Sequence, residues 1–324
     1  MQHRITRHTA LGGLLGLGAA HLAAAADYPS RTIRIISPYT PGGGTDVTAR
    51  LLAGPLGRLL GQAIVVENKP GAGGSIGAAE VARAAPDGHT LLVDALAHVV
   101  NPSLMRGLAF DYTKAFVPVS QLTRLPQVMV APRSLPPATL AEFVAYARAN
   151  RGRLSFGSSG NGSGAQLASV LFLRTAGLEV QHVPYRGGSA AMQAVLAGEV
   201  VFAFATVNTA SQLIRDGQLR AYAVAGDRRV GALPEVPTLA EAGYPGCELY
   251  EWNGMFAPAG TPPDVVSQLQ IAVAGALRDP AVQERFGQIG AEPLGTTPEV
   301  FTGFVAGQRE AMAELVREAG ITLD

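Results

Sequence analysis

Residues 37–46 (SPYTPGGGTD) have the clearest potential for binding chemistry, because three consecutive glycines stand next to short hydroxyl and carboxyl side chains. A strand pattern precedes them at 32–36 (TIRII), and apolar residues follow at helical spacing over 47–60. Backbone N–H groups at a helix start, approached through residues without a Cβ, form a ready site for an anion. The segment is also typical of an ordinary turn in which Thr45 and Asp46 cap the helix, so both interpretations stay open here.

A second turn of this kind lies at 158–164 (SSGNGSG), between a strand pattern at 154–157 and a helical pattern at 165–176. Ligands of open α/β sheets bind beyond the carboxyl ends of the strands. Two such units facing each other would therefore form a cleft with a helix N-terminus on each wall. That geometry favours a small anion, most simply a carboxylate, held between two sets of amides.

A serine hydrolase is the strongest alternative, because Ser75 lies in a G-x-S-x-G pattern and is followed by Asp94 and then His98 or His182, in that class's order. The nucleophile turn of such enzymes leaves its strand directly. Here four residues (KPGA) separate the pattern from the strand that ends near Asn68. An exported hydrolase using Ser75 is kept as an alternative function.

Signatures of cofactors and metals are weak in this chain. Residues 160–165 fit the G-x-G-x-x-A variant of the dinucleotide fingerprint, but the first α/β unit lacks it. The histidines beyond residue 26 are His89, His98 and His182, and none of them stands at the spacing of a metal-binding helix. We therefore expect no metal, no cofactor and no catalytic residue, which favours binding without chemistry.

Residues 1–26 have the pattern of a signal peptide. Arg4 and Arg7 supply the positive start, 10–20 (ALGGLLGLGAA) is a short apolar run, and an A-x-A site precedes Asp27. This pattern predicts export to a periplasm. The single cysteine of the chain allows no intrachain disulfide there. Lys and Arg number 25, as do Asp and Glu, and a chain without a basic excess does not favour nucleic-acid binding.

Strand and helix patterns alternate along the rest of the chain, which predicts an α/β fold with mainly parallel sheets covered on both faces. Strands are predicted at 63–67, 90–94, 117–122, 127–131, 154–157, 180–183, 200–205, 219–225 and 249–257, and helices at 75–84, 139–149, 165–176, 189–197, 208–216, 263–278, 280–288 and 298–318.

Several longer motifs are spread over nearly the whole chain after residue 26. They are PYTPGGGTD at 38–46, VVENKPGAGGSIGA at 65–78, APDGHTLL at 85–92, NPSL at 101–104, SFGSSGNGSGAQLA at 155–168, HVPYRGGSAAMQAVLAGEV at 182–200, LPEVPTLAEAGYPG at 233–246 and WNGMFAPAGTP at 252–262. In this order the motifs resemble one family, the Bug-type extracytoplasmic receptors that serve as substrate-binding subunits of tripartite tricarboxylate transporters.

The resemblance implies an α/β, two-lobed periplasmic binding protein of the venus-flytrap, type II-like kind. Each lobe is expected to be a mainly parallel sheet flanked by helices, with lobe 1 at 27–123 plus 225–324 and lobe 2 at 124–224. The chain should cross between the lobes near 122–128 and 221–225. A receptor of this kind encloses a small carboxylate by hinge closure and presents the closed form to its membrane partner.

Carried onto this sequence, the resemblance implies ligand loops at 39–46 and 158–163, with further cleft lining around 95–98 and 206–208. An acid facing an anion would repel it, so we interpret Asp46 mainly as a brace of its loop. The candidate ligand-binding residues are Tyr39, Thr40, Gly42, Gly43, Gly44, Thr45, Asp46, Ala97, His98, Ser158, Ser159, Gly160, Asn161, Gly162, Ser163, Thr206 and Asn208.

The hydroxyls of Thr45, Ser158 and Ser163 can donate to a carboxylate. Gln166 and Val201 stand where the family often has a histidine and an acid, which bears on the identity of the ligand. The resemblance implies two kinds of partner, a small carboxylate ligand and integral membrane transporter subunits. A carboxylate sensor for a signalling protein would have the same sequence features and is a further alternative. We expect a monomer without a nucleic-acid partner.

Overall fold

The computed structural model describes residues 28–322, so the signal peptide predicted at 1–26 lies outside the described residues. The strands are β1 (Ile33–Ser37), β2 (Ile64–Asn68), β3 (Thr90–Ala95), β4 (Phe116–Pro132), β5 (Ser155–Ser158), β6 (Gln181–Pro184), β7 (Phe202–Thr206), β8 (Leu219–Ala225), β9 (Tyr250–Pro258) and β10 (Glu292–Pro293). The α-helices are α1 (Gly44–Leu60), α2 (Ser75–Ala82), α3 (Ala97–Leu104), α4 (Leu140–Ala149), α5 (Gly164–Ala176), α6 (Gly188–Ala197), α7 (Val207–Arg215), α8 (Pro263–Leu277), α9 (Pro280–Gln288) and α10 (Pro298–Glu318).

The strands form two sheet regions that share β4. The first has the order β2-β1-β3-β9-β4, and in the second β4 lies between β8 and β7, followed by β5 and β6. The predicted α/β class is confirmed, but the sheets are mixed. Strands β1, β2 and β3 run parallel, as do β5, β6 and β7, whereas every pair made by β4 or β9 is antiparallel. The parallel pairs come from strand-helix-strand units, and β4 and β9 connect the two sheet regions.

Strand β4 is one continuous element of 17 residues, although its sequence pattern predicted two strands at 117–122 and 127–131. Its polar and proline-containing middle, 123–126 (TRLP), has the composition of a turn. The strand continues through this stretch because Leu125 pairs with Glu251 of β9, and Gln127 then pairs with β7 and β8. Pairing with distant strands thus overrides a local turn signal.

The segment between β8 and β9, residues 226–249, packs on the second sheet region. Leu233 and Val236 are buried there in the same cluster as Val195 of α6. Residues Leu233 and Val236, which the prediction assigns to lobe 1, therefore pack against the second sheet region. The lobe boundaries expected at 27–123 plus 225–324 and at 124–224 stay a prediction.

Helix α3 was not predicted, because its eight residues contain an Asn-Pro pair that is typical of a turn. It follows β3 almost directly, so His98 begins a helix instead of lying in a loop. Among residues 28–322, no helix has the length and apolar character needed to cross a membrane.

Candidate functional site

A cleft of about 700 Å³ lies between the two sheet regions. The β1–α1 turn forms one side, the starts of α6 and α7 form another, and β4 and β9 contribute side chains between them. Of the residues predicted from the sequence, nine line the cleft: Tyr39, Thr40, Gly42, Gly43, Gly44, Thr45, Ser159, Thr206 and Asn208. The remaining predicted residues, which do not line it, are Asp46, Ala97, His98, Ser158, Gly160, Asn161, Gly162 and Ser163.

The β1–α1 turn leaves the N-terminus of α1 open to the cleft. Gly42 has a φ of 82°, a left-handed conformation that favours glycine. Gly43 is the N-cap residue, and no side chain caps the helix. The Thr45 hydroxyl is 2.8 Å from the Ser37 hydroxyl behind the turn. The first backbone N–H groups of a helix have no partner inside it, so those of α1 are available to a ligand.

Asp46 braces the turn from behind, in line with its interpretation from the sequence. Its carboxylate accepts hydrogen bonds from Gly42 N–H at 2.9 Å, Asn68 Nδ2 at 2.9 Å and Arg50 Nε at 2.8 Å. Burial by itself would raise the pKa of Asp46, but these three donors lower it below its ordinary value. The carboxylate therefore stays ionised and fixes the glycine backbone.

Tyr39 lines the cleft and belongs to a buried hydrogen-bonded chain. Its hydroxyl donates to Asp94 Oδ1 at 3.0 Å, and Asp94 Oδ2 is 3.0 Å from His98 Nδ1. The His98 ring stacks on Phe256 at 4.0 Å between ring centroids. Burial, with the neighbouring Asp94 carboxylate, holds the pKa of Tyr39 well above its ordinary value. His98 therefore lies beneath the cleft wall and holds Asp94 and Tyr39 in place.

The loop predicted to face the first turn satisfies its own polar groups. The Ser158 hydroxyl is fully buried and lies 2.6 Å from His182 Nε2. Ser163 donates to Gly160 O at 2.7 Å and caps α5 by accepting from Gln166 N–H. The hydroxyls of Ser158 and Ser163 thus have partners in the protein, and of residues 158–163 only Ser159 lines the cleft.

The rest of this loop does not line the cleft. Gln166 Oε1 accepts from Gly162 N–H at 2.7 Å, and its Nε2 is 3.0 Å from His182 Nδ1. Asn161, Gln166 and His182 line a second cavity, between α5 and the end of α10. Burial lowers the pKa of His182, which favours a neutral ring in this network.

The starts of α6 and α7 take the place that the sequence assigned to the 158–163 loop. Gly187–Ser189 and residues Thr206, Asn208 and Thr209 line the cleft, and neither helix has a capping side chain. Sequence reasoning identified Thr206 and Asn208 but missed the α6 start. The signal was present in residues 185–189 (YRGGS), a third glycine-rich turn between a strand and a helix.

The lining of the cleft carries one carboxyl group and no cationic side chain within the described part of the chain. The carboxyl belongs to Glu251 of β9, beside Gln127 of β4. Burial raises the pKa of Glu251 to about 7, although a hydrogen bond from Gly164 N–H opposes this rise. Sequence reasoning missed Glu251, because nothing in its local pattern separates it from other acids.

Ser75 has a position unsuited to the hydrolase alternative. It begins α2 after a short 3₁₀ turn at Ala72–Gly74 and lines a separate surface depression with Arg83 and Met105. A nucleophile turn would have to follow β2 directly. The cleft instead offers helix N-termini, each equivalent to about half a positive charge, which can hold an anion without a cationic side chain.

Comparisons with known proteins agree with this geometry. The model of the tripartite tricarboxylate transporter family receptor matches residues 48–321. Protein BugT of Bordetella pertussis is 37% identical over 308 residues, covering 94% of each chain. The solved structure of MatC from Rhodopseudomonas palustris with bound malate has 36% identity and a TM-score of 0.76, covering 89% of this chain and 100% of that one. That of R. palustris Rpa4515 with adipate has 32% identity and a TM-score of 0.80, covering 92% and 100%.

These likenesses confirm the predicted resemblance and the periplasmic binding protein fold. The family consists of solute receptors and not of enzymes. Since sequence and fold agree over nearly the whole chain, with a cleft that suits an anion and offers no hydrolase site, the chain belongs to the tripartite tricarboxylate transporter receptor family.

Proposed function

We propose that this chain is an extracytoplasmic receptor that binds a small carboxylate in its cleft and delivers it to a tripartite tricarboxylate-type transporter. One observation carries the proposal: the N-termini of α1, α6 and α7, which no side chain caps, line the same cleft. Uncapped N–H groups favour an anionic ligand. The malate and adipate bound by MatC and Rpa4515 support a carboxylate.

The proposed contacts come from both lobes. On the first wall, the N–H groups of Gly44 and Thr45 and the hydroxyl of Thr40 face the ligand. On the second, Gly188 at the start of α6 and Asn208 in the first turn of α7 supply further N–H groups. Ser159 and Thr206 complete this set as hydroxyl donors. Asp46, Ala97, His98, Ser158, Gly160, Asn161, Gly162 and Ser163 are assigned to supporting positions.

Hinge closure follows from the position of the ligand between the lobes. A carboxylate that binds donors on both walls favours the closed form over the open one by its differential affinity. Strands β4 and β9 run along the floor of the cleft, so small changes in their backbone angles can change the distance between the walls. The closed shape is the signal that a membrane partner recognises.

The proposed location and partner follow from the same assignment. Residues 1–26 direct export, and the protein acts in the periplasm as a monomer. Its partners are the integral membrane subunits of the transporter. A sensor role would use the same cleft and differ only in the membrane protein that binds the closed form.

Thermal unfolding with a panel of mono-, di- and tricarboxylates tests the receptor function on the chain from Asp27 onward. An acid at about 100 times its Kd stabilises the folded state by about 2.7 kcal/mol, a shift of a few degrees for a protein of this size. Small-angle scattering with that acid should show a smaller radius of gyration. Crosslinking in membranes, with and without the acid, then identifies the transporter subunits or a sensor.

Two results would contradict the receptor proposal. One is the absence of stabilisation by any acid of the panel. The other is turnover of ester substrates that is lost in Ser75→Ala, which would favour the hydrolase. A binding acid that leaves the radius of gyration unchanged would contradict hinge closure alone.

A further inference from the structure

Glu251 lines the cleft where β4 and β9 pair. It lies opposite Leu125 in the register of these strands, and its carboxyl packs against the backbone of Gly164 at the start of α5. A Cβ added to Gly164 would overlap this carboxyl. Glu251 takes part in none of the ion pairs within residues 28–322. A protein carboxyl thus stands in a cleft that suits anions.

Gln127, which lies beside it, adds a second acceptor. The side chain is 2% exposed and lines the cleft, and its Oε1 has no hydrogen-bond partner among the described residues. A buried acceptor without a partner costs about 1–3 kcal/mol. The Gln127 Nε2 lies toward Gly164 and the Glu251 carboxyl, and its Oε1 is an acceptor without a partner beside the ionisable Glu251 in the cleft lining.

We propose that Glu251 and Gln127 select organic acids that carry a hydrogen-bond donor, an ammonium or a hydroxyl group, at the end opposite their carboxylate, and that they disfavour a second carboxylate there. This inference rests on the proposed function and names the class of ligand. Glu251 is a specificity-determining residue in this assignment.

The spacing of residues along β9 sets the scale of such a ligand. Asn253 lies close to the start of α1, since a Cβ on Gly44 would be 3.7 Å from its Oδ1. Glu251 and Asn253 are two residues apart on β9 and so project from the same face, about 7 Å apart. An acid anchored at α1 beside Asn253 would therefore have to extend by about 7 Å to reach Glu251.

The charged and titratable surroundings of Glu251 are few. Gly164 N–H approaches from α5 and the neutral Gln127 from β4, and the β1–α1 turn contributes the Tyr39 hydroxyl, which donates to Asp94. Since burial raises the pKa of Glu251 to about 7, its carboxyl is mostly ionised at pH 8 and mostly protonated at pH 6. A second ligand carboxylate is repelled in the first state and can accept a hydrogen bond in the second.

The test compares four acids that share a four-carbon chain and differ at the far end: γ-aminobutyrate, γ-hydroxybutyrate, succinate and butyrate. Calorimetry at pH 8 gives their affinities for the wild type, Glu251→Gln and the control Glu248→Gln. Glu248 is an exposed acid three residues away and does not line the cleft. Both substitutions remove the same charge.

In the wild type, we expect the ammonium and hydroxyl acids to bind at least about tenfold more tightly than succinate. The ratio of affinities for the ammonium and the hydroxyl acid measures the effect of the charge of Glu251. In Glu251→Gln, this ratio and the preference of the donor acids over succinate should both fall to about threefold or less. Glu248→Gln should keep the wild-type ratios. If Glu251→Gln does not fold, the wild type at pH 6 serves instead, since there the preference over succinate should fall.

Tighter binding of succinate than of the donor acids by the wild type, or a preference that survives in Glu251→Gln, would overturn the inference and leave the receptor function standing. The same holds for a wild-type preference that does not change between pH 6 and pH 8. Absence of binding by every acid of this set and of the larger carboxylate panel would overturn the receptor function, and the inference with it.

Discussion

The two glycine-rich turns that begin α1 and α5 look alike in sequence but differ in the folded protein. The β1–α1 turn has no capping side chain and lines the cleft over its whole glycine stretch. The β5–α5 turn is closed by the Ser163 hydroxyl and by Gln166 Oε1 on Gly162 N–H, and the Glu251 carboxyl packs against Gly164. One turn offers its amides to a ligand, and the other gives them to the protein.

This difference shows what a glycine-rich turn does and does not determine. Glycines permit close approach and left-handed backbone angles in both turns. Whether the N–H groups remain available depends on the side chains that reach them. At α5 one of these side chains, that of Ser163, precedes the helix as its N-cap residue, and the other, that of Gln166, belongs to its first turn.

Closing the open turn should have the largest effect. Gly43→Asp places a carboxylate at the N-cap of α1, where φ of −71° and ψ of 166° suit a capping residue. The new carboxylate would accept the N–H bonds and repel the ligand, so affinity should fall by about 100-fold or more. The new Cβ would lie 3.2 Å from Thr40 O, a close contact whose cost the added cap should offset. Calorimetry and thermal unfolding measure the two effects.

Gly43→Asn is the matched control, since it has the same shape without the charge. It should lose about tenfold at most. Equal losses in the two variants would show that the site is not one for an anion.

Removing the carboxyl from the closed turn should change how stability depends on pH. Burial raises the pKa of Glu251 from 4.5 to about 7, so the folded state holds a proton that the unfolded state has lost, and stability falls as pH rises between these values. The raised pKa lowers the free energy of unfolding of the wild type by at most about 3 kcal/mol over this pH range, and Glu251→Gln should not show this decrease. Denaturant unfolding without ligand should show that the free energy of unfolding of the variant rises relative to that of the wild type from pH 5 to pH 8. A difference independent of pH would contradict the raised pKa.

A methyl group added at the first residue of each helix should affect the stability of the protein differently at the two turns. In Gly164→Ala the new Cβ meets Glu251 and lies 3.0 Å from Gln127 Nε2, so we expect a loss of about 2 kcal/mol. In Gly44→Ala the nearest atom is 3.7 Å away, which is ordinary contact, and the fold should tolerate it. Thermal unfolding compares the pair, and equal losses would contradict the close packing at α5.

The smallest effect is expected from two serines of the same loop. Ser163→Ala removes the α5 cap and should cost about 1 kcal/mol, with affinity unchanged. Ser159→Ala, on the cleft wall, should leave stability unchanged and weaken binding several-fold. Unfolding and calorimetry on both variants decide this, and a loss of affinity in Ser163→Ala would place its hydroxyl on the ligand after all.

Much of the fold could be predicted because its signals are local. Helical spacing predicted α5 and α10 to within a residue at each end, and the strand predicted at 219–225 coincides with β8. The continuity of β4 could not be predicted, since its middle resembles a turn and is held by pairing with β9. Helix α3 was missed because it is short and contains Pro102.

The sequence by itself determined the α/β class, the family resemblance and the potential of the β1–α1 turn as an anion site, since these follow from composition, periodicity and glycine placement along contiguous residues. The tertiary structure decided which helix starts reach the cleft, and it brought Glu251 from β9 against α5. That decision depends on contacts between residues far apart in the chain, and no local pattern records them. The freedom of the backbone is a local property of the glycines. Whether each N–H group has a hydrogen-bond partner depends on the side chains that pack against it.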